Sequence, residues 1–191
     1  EEAGAIRLAE EARRDLVRFY VDADRISEAI ATIDGLPITA AEQQRLLARM
    51  ATQLTESGQF AQSEHVWRTL LSRDPLAADA PQALDAILAL KQRTGDRDAV
   101  LVTLARSAEL FSKGTAWHRA HIDSPEVLQR ALDTRESRTR KLALSIHEEA
   151  RKIGDRERYV QAGEIYAAWL SEFDGLAEEP DVRFAYGELL Y

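Results

Sequence analysis

The chain has no cysteine and no asparagine among its 191 residues. The missing cysteine excludes disulfides, thiolate nucleophiles and Cys-ligated zinc, and leaves the redox compartment open. Glycine and proline are scarce too: nine and five, together 14 of 191 or about 7%, against roughly 12% in average usage. So few chain-breakers leave little room for the many turns of a β-sandwich or barrel. No apolar run approaches the ~18–20 residues that a membrane span needs. Basic residues are outnumbered, 25 against 33 acidic, for a formal net charge of −8. That balance argues against a nucleic-acid or anionic-membrane partner.

What is present is a globular composition, 45% hydrophobic and 30% charged, with 31 alanines and 23 leucines, both good helix formers. Breaks recur at Gly35-Leu36-Pro37, Gly58, Asp74-Pro75, Gly95, Gly114, Ser124-Pro125, Gly154, Gly175 and Pro180. Between them apolar residues return every three or four positions, the helical spacing. Leu46, Leu47, Met50, Ala51 and Leu54 make one stripe, and Phe60, Val66, Trp67, Leu70 and Leu71 the next. The pattern predicts helices near 2–21, 24–34, 39–57, 60–73, 80–94, 97–112, 125–153, 156–172 and 180–191, with a partial turn at Trp117. Ser124 and Pro125 suit the N-cap and first turn of their helix. The 125–153 segment carries apolar stripes at both ends and a wholly polar middle, Arg135 to Lys141. Either it crosses open solvent there or it breaks near Thr134; a single continuous helix is the reading adopted.

The helix pairs are self-similar. Leu16, Tyr20, Ile26, Ala29 and Ile33 recur 34 positions later as Met50, Leu54, Phe60, Ser63 and Trp67. A period near 34 with two helices per unit signals a tetratricopeptide-type solenoid. One helix pair cannot bury its apolar face alone, so each stacks on its neighbours. Small residues such as Ala51 and Ser63 then mark close approaches between helices, and Trp67 fills the gap between units. The expected fold is all-α, a tetratricopeptide-like right-handed α-solenoid of antiparallel hairpins. It forms one repeat domain over 1–191, with repeats near 10–37, 44–75, 81–112 and 138–173 and the start of another at 180–191. Leu47, Met50, Ala51, Leu54, Gly58, Phe60, Ser63, Trp67 and Pro75 resemble the tetratricopeptide repeat in register. The absent initiator methionine and the open-ended apolar helix 182–191 suggest a piece of a longer chain, with Phe184, Leu189 and Leu190 exposed.

The second half resembles a narrower group. Ala116-Trp117-His118-Arg119-Ala120-His121, then Leu142 to Ala150, then Ile165 to Phe173, then Arg183 to Tyr191, is similar in order to repeat proteins of deltaproteobacterial (myxobacterial) gliding-motility machinery. The chain departs from that pattern at His121, where the family often has asparagine. The resemblance covers roughly 40–191 and is clearest over 114–191. It implies a periplasmic, outer-membrane-associated location and a motility role. The sequence physics alone suits a cytoplasmic regulatory adaptor equally.

Candidate chemistry is sparse. His118 and His121, three apart, would share a helix face, but no third ligand is fixed beside them, and no metal or cofactor is expected. Glu148 and Glu149 are adjacent, so on a helix they point about 100° apart and do not converge on a substrate. No Ser/His/Asp order, phosphate loop or His-Glu-x-x-His is present. The chain reads as a non-enzyme; a helical cell-wall-processing enzyme would need a deep pocket with convergent carboxylates. Some tetratricopeptide domains clamp a peptide's C-terminal carboxylate with paired asparagines, and a chain without asparagine has no such clamp. What remains is the concave face of the first helices: Arg45, Arg49, Thr52, Gln82, Asp85, Ala89 and Arg93, extended by Lys141 and Ser145. Arginines in an acidic chain suit an acidic or extended peptide lying there. The expected partners are thus proteins or peptides in a concave groove, with no nucleic acid and no membrane insertion.

Overall fold

Caps and breaks written into the sequence set the limits of the helices. The computed structural model describes residues 11, 12 and 15–191, and among them it is all-α, with no strand. The expected helix over 2–21 therefore lies partly outside the described residues; 11, 12 and 15–22 form the described part of α1. After it come α2 (Ile26–Asp34), α3 (Ala40–Glu56), α4 (Phe60–Arg73), α5 (Ala80–Thr94) and α6 (Arg97–Phe111). The short α7 (Ala116–Ala120) precedes α8 (Pro125–Ile153), α9 (Arg156–Glu172) and α10 (Glu179–Leu190). At α3 a capping box closes the first turn: the Glu42 N–H donates to Thr39 Oγ1 at 3.2 Å and the Thr39 N–H donates to Glu42 Oε2 at 2.9 Å, satisfying two otherwise orphaned donors. Asp155 does similar work at α9, accepting from the N–H groups of Glu157 and Arg158. Ser124 holds the N-cap position of α8, but its side chain makes no capping hydrogen bond. Gly95 and Gly154 end α5 and α8 with φ of 71° and 68°, a left-handed conformation open to glycine without a Cβ penalty.

The contacts divide the chain into two compact units, Glu1–Asp96 and Arg97–Tyr191, where the sequence reading takes it as one repeat domain. In the first, each helix from α2 to α5 packs on the next in order. Its core runs from Val17 and Val21 through Ile26, Ala29 and Ile33 to Leu47, Met50 and Leu54, all buried. The expected close approach of α3 and α4 is present. Ala51 and Ser63 are both fully buried, and Ser63 Oγ donates to the Ala51 carbonyl at 2.7 Å. Lys91 of α5 reaches Glu64 of α4 at 2.6 Å. Burial pushes the Glu64 carboxyl up, but Lys91 and Arg68 outweigh it and hold the group below its ordinary value.

In the second unit α8, α9 and α10 pack mutually, and α6 touches α7 and α8. Tyr166 and Trp169 of α9 are fully buried. Each such ring removes roughly 150–250 Å² from water, gross stabilisation of several kcal/mol at about 25 cal/mol per Å². On α10, Phe184 and Leu190 are exposed as expected, while Leu189 is half-buried and its Cδ2 lies near the bare backbone of Gly163.

One expectation about α8 needs correcting. The helix is continuous over 29 residues, but its polar middle does not cross open solvent. Arg135, Glu136 and Thr139 are buried, and each has partners. Arg135 pairs with Glu172 of α9 and donates to Ser107 Oγ and Ser112 Oγ at 3.2 Å each. Glu136 accepts from Trp169 Nε1 at 3.1 Å and from Arg140 Nε at 2.6 Å. The physical reason is that burying charge is tolerated when it is paired and hydrogen-bonded, and α9 and α6 bring those partners. Among the described residues no helix is long and apolar enough to cross a membrane.

Candidate functional site

Arg45, Arg49, Thr52 and Glu56 recur on α3 at steps of four, three and four, so they share one exposed face. Opposite them α1 presents Asp15, Arg18 and Asp22. Together they line an open cleft of about 930 Å³ in the first unit. Arg18 and Asp22 approach to 3.7 Å across largely exposed side chains. Arg45 and Arg49 form no ion pair among the described residues. Thr52 turns its hydroxyl back to the Ala48 carbonyl at 2.9 Å. The cleft is thus lined by three basic and three acidic side chains, rather than by arginines alone. Its acidic wall was missed because Asp15 and Asp22 lie on a helix whose polar face looks, in sequence, like any solvated one. Their signal was the 15, 18, 22 spacing of charges.

The remaining candidates disperse. Arg93 lays its guanidinium over the Phe60 ring, 4.6 Å from the centroid. Asp85 is half-buried on α5, and Lys141 is exposed on α8 in the second unit. Gln82 lines a separate, smaller pocket of about 240 Å³ walled by Trp67, Leu70 and Leu71 of α4. Trp67, expected to fill a gap between helix pairs, is half-buried at that pocket.

The histidines do not converge. His121 packs on Trp117 with ring centroids 4.7 Å apart. His147 meets the Tyr166 hydroxyl through Nδ1 at 3.3 Å. Among the described residues no group of three or more His, Asp or Glu is placed to hold a metal ion. Glu148 and Glu149 make separate ion pairs, with Lys152 and Arg158. In the second unit Arg135, Glu172 and Ser112 form a polar cluster. Burial pushes the Arg135 guanidinium down to about 10, so it stays protonated at neutral pH beside Glu172. With Arg135 only 7% exposed, the cluster acts as an internal strut between α8, α9 and α6. No protein-family model matches the chain, and no curated protein is significantly similar to it.

Proposed function

We propose that this chain is a non-catalytic protein-interaction scaffold of the tetratricopeptide type, an adaptor in a multiprotein cell-envelope assembly such as gliding-motility machinery. The envelope setting, periplasmic and outer-membrane-associated, rests on the resemblance of residues 114–191. The interaction role rests on the cleft. Arg45 and Arg49, exposed and without an ion-pair partner among the described residues, stand beside Thr52 in an open cleft of about 930 Å³. That observation carries the reading. Recognition is by shape and charge on a preformed surface, with acidic side chains of the partner meeting the two guanidinium groups.

Exposed ion pairs contribute about 0.2–1 kcal/mol each. Two of them supply about tenfold in affinity, and salt screens that gain. The test is fluorescence anisotropy with a fluorescein-labelled octaglutamate peptide. The expected result is binding at low salt that weakens as salt rises and falls about tenfold in the Arg45→Glu, Arg49→Glu double variant. Unchanged affinity in that variant, or no binding at low ionic strength, overturns the assignment of the cleft.

A further inference from the structure

The small pocket beside the cleft has a chemistry of its own. Its floor and walls are apolar, from Trp67, Leu70 and Leu71. Asp74 and Asp79 complete it near the start of α5, and among the described residues no Lys, Arg or His lines it. Asp79 stands at the N-cap of α5 without capping it through its side chain, and its carboxylate has no hydrogen bond or ion pair among the described residues. Gln82 adds a second acceptor: its Oε1 is buried and makes no hydrogen bond among the described residues, an unfavourable state that an arriving donor relieves. At about 240 Å³ the pocket falls below the roughly 300–1,000 Å³ of sites for drug-sized ligands, and so matches a single side chain.

We propose that this pocket takes one arginine side chain of the partner peptide, an inference that rests on the peptide-binding reading of the cleft. Arginine has the three properties that the walls ask for. Its aliphatic stem packs against Leu70 and Leu71. Its planar guanidinium stacks on the face of Trp67. Its N–H fork reaches a carboxylate and an amide oxygen at once. The first unit already uses the same contact internally, where Arg93 stacks on Phe60. Lysine has a compact, strongly hydrated head that stacks less well, and a purely apolar side chain leaves the Asp79 carboxylate and Gln82 Oε1 unanswered. Gln44 and Ala48 of the pocket immediately precede Arg45 and Arg49 of the cleft on α3. Adjacent positions on a helix point about 100° apart, so pocket and cleft open on different faces of α3, and the arginine is recognised separately from the acidic residues that meet the cleft.

The experiment titrates the ¹⁵N-labelled full chain with N-acetyl-L-argininamide, its uncharged isostere N-acetyl-L-citrullinamide, and N-acetyl-L-leucinamide. The readouts are the Trp67 indole N–H and the Gln82 side-chain amide. The expected result is saturable shifts with the arginine probe and weaker binding of the other two. Asp79→Asn should weaken the arginine probe about two- to fivefold, the range of one exposed ion pair. Asp79 makes no side-chain capping bond to α5 and asparagine suits that position equally, so this variant removes no contact that holds the helix. Equal binding of the arginine and citrulline probes, no effect of Asp79→Asn, or shifts confined to other residues overturns the proposal. The Arg45→Glu, Arg49→Glu variant separates the two readings. It should weaken octaglutamate binding about tenfold and leave the arginine probe's affinity unchanged, whereas failure of the arginine probe alone, with octaglutamate still bound, sinks the pocket and leaves the cleft standing.

Discussion

His147 lies against the rings of Tyr159 and Tyr166, each 5.9 Å away between centroids. Burial lowers its pKa below 6.5, the nearby Arg151 lowers it further, and Glu188 of α10 opposes them. Tyr166, pushed up to about 12 chiefly by its own burial, stays a neutral phenol, so His147 is the member of the pair whose protonation is linked to folding. The sign follows from linkage. A base whose folded pKa is depressed is neutral in the folded protein while the unfolded chain already binds a proton. Its contribution to stability is complete above pH 6.5 and is lost as pH falls through the folded pKa. Urea midpoints should therefore drop between about pH 7.5 and about pH 5.5, and drop less in His147→Gln. An identical decline in that variant would assign the pH dependence to other groups.

At the scale of elements, the α8–α9 pair turns on charge placed inside a helix packing. Arg135 is nearly enclosed, whereas Glu172 keeps 21% of its side chain exposed. Removing the carboxylate strands the guanidinium, so Glu172→Ala should cost about 3 kcal/mol, the low end for breaking a buried pair because of that residual exposure. Replacing both partners with apolar groups, Arg135→Met with Glu172→Leu, should be less destabilising than Glu172→Ala. Urea unfolding of the two variants decides it, and a loss under about 1 kcal/mol for Glu172→Ala would show that the pair contributes little. This strut also shows where hydropathy stops being legible. The limits of α4, α5, α8 and α9 follow from Asp74-Pro75, Gly95, Pro125, Gly154 and Asp155, since those residues act locally on the backbone. The burial of Arg135 depends on Glu172, 37 positions on, and Ser107, 28 positions back, and a periodicity that scores polar residues as solvated cannot see such partners. The candidate site divides the same way. Arg45, Arg49 and Thr52 are readable from their spacing along α3, whereas the acidic wall of Asp15 and Asp22 and the pocket around Trp67 need separate helices brought together.

For the whole molecule, the question is whether stability is shared or local. Each compact unit has its own buried set: Leu47, Met50 and Leu54 in the first, Tyr166, Trp169 and Phe173 in the second. In a linear array of helix pairs, stability is a sum of intrinsic and nearest-neighbour terms, so damage at one place decays along the chain. In a single cooperative core every helix loses protection together. Glu172→Ala distinguishes these cases, because the strut lies wholly within the second unit. Amide hydrogen exchange on the full chain should quicken in α8, α9 and α10 and stay unchanged in α3 and α4, which are held by contacts that do not include Glu172. Equal loss of protection in α3 and α4 would mean one cooperative core, and the repeat architecture on which the peptide-binding reading leans would go with it.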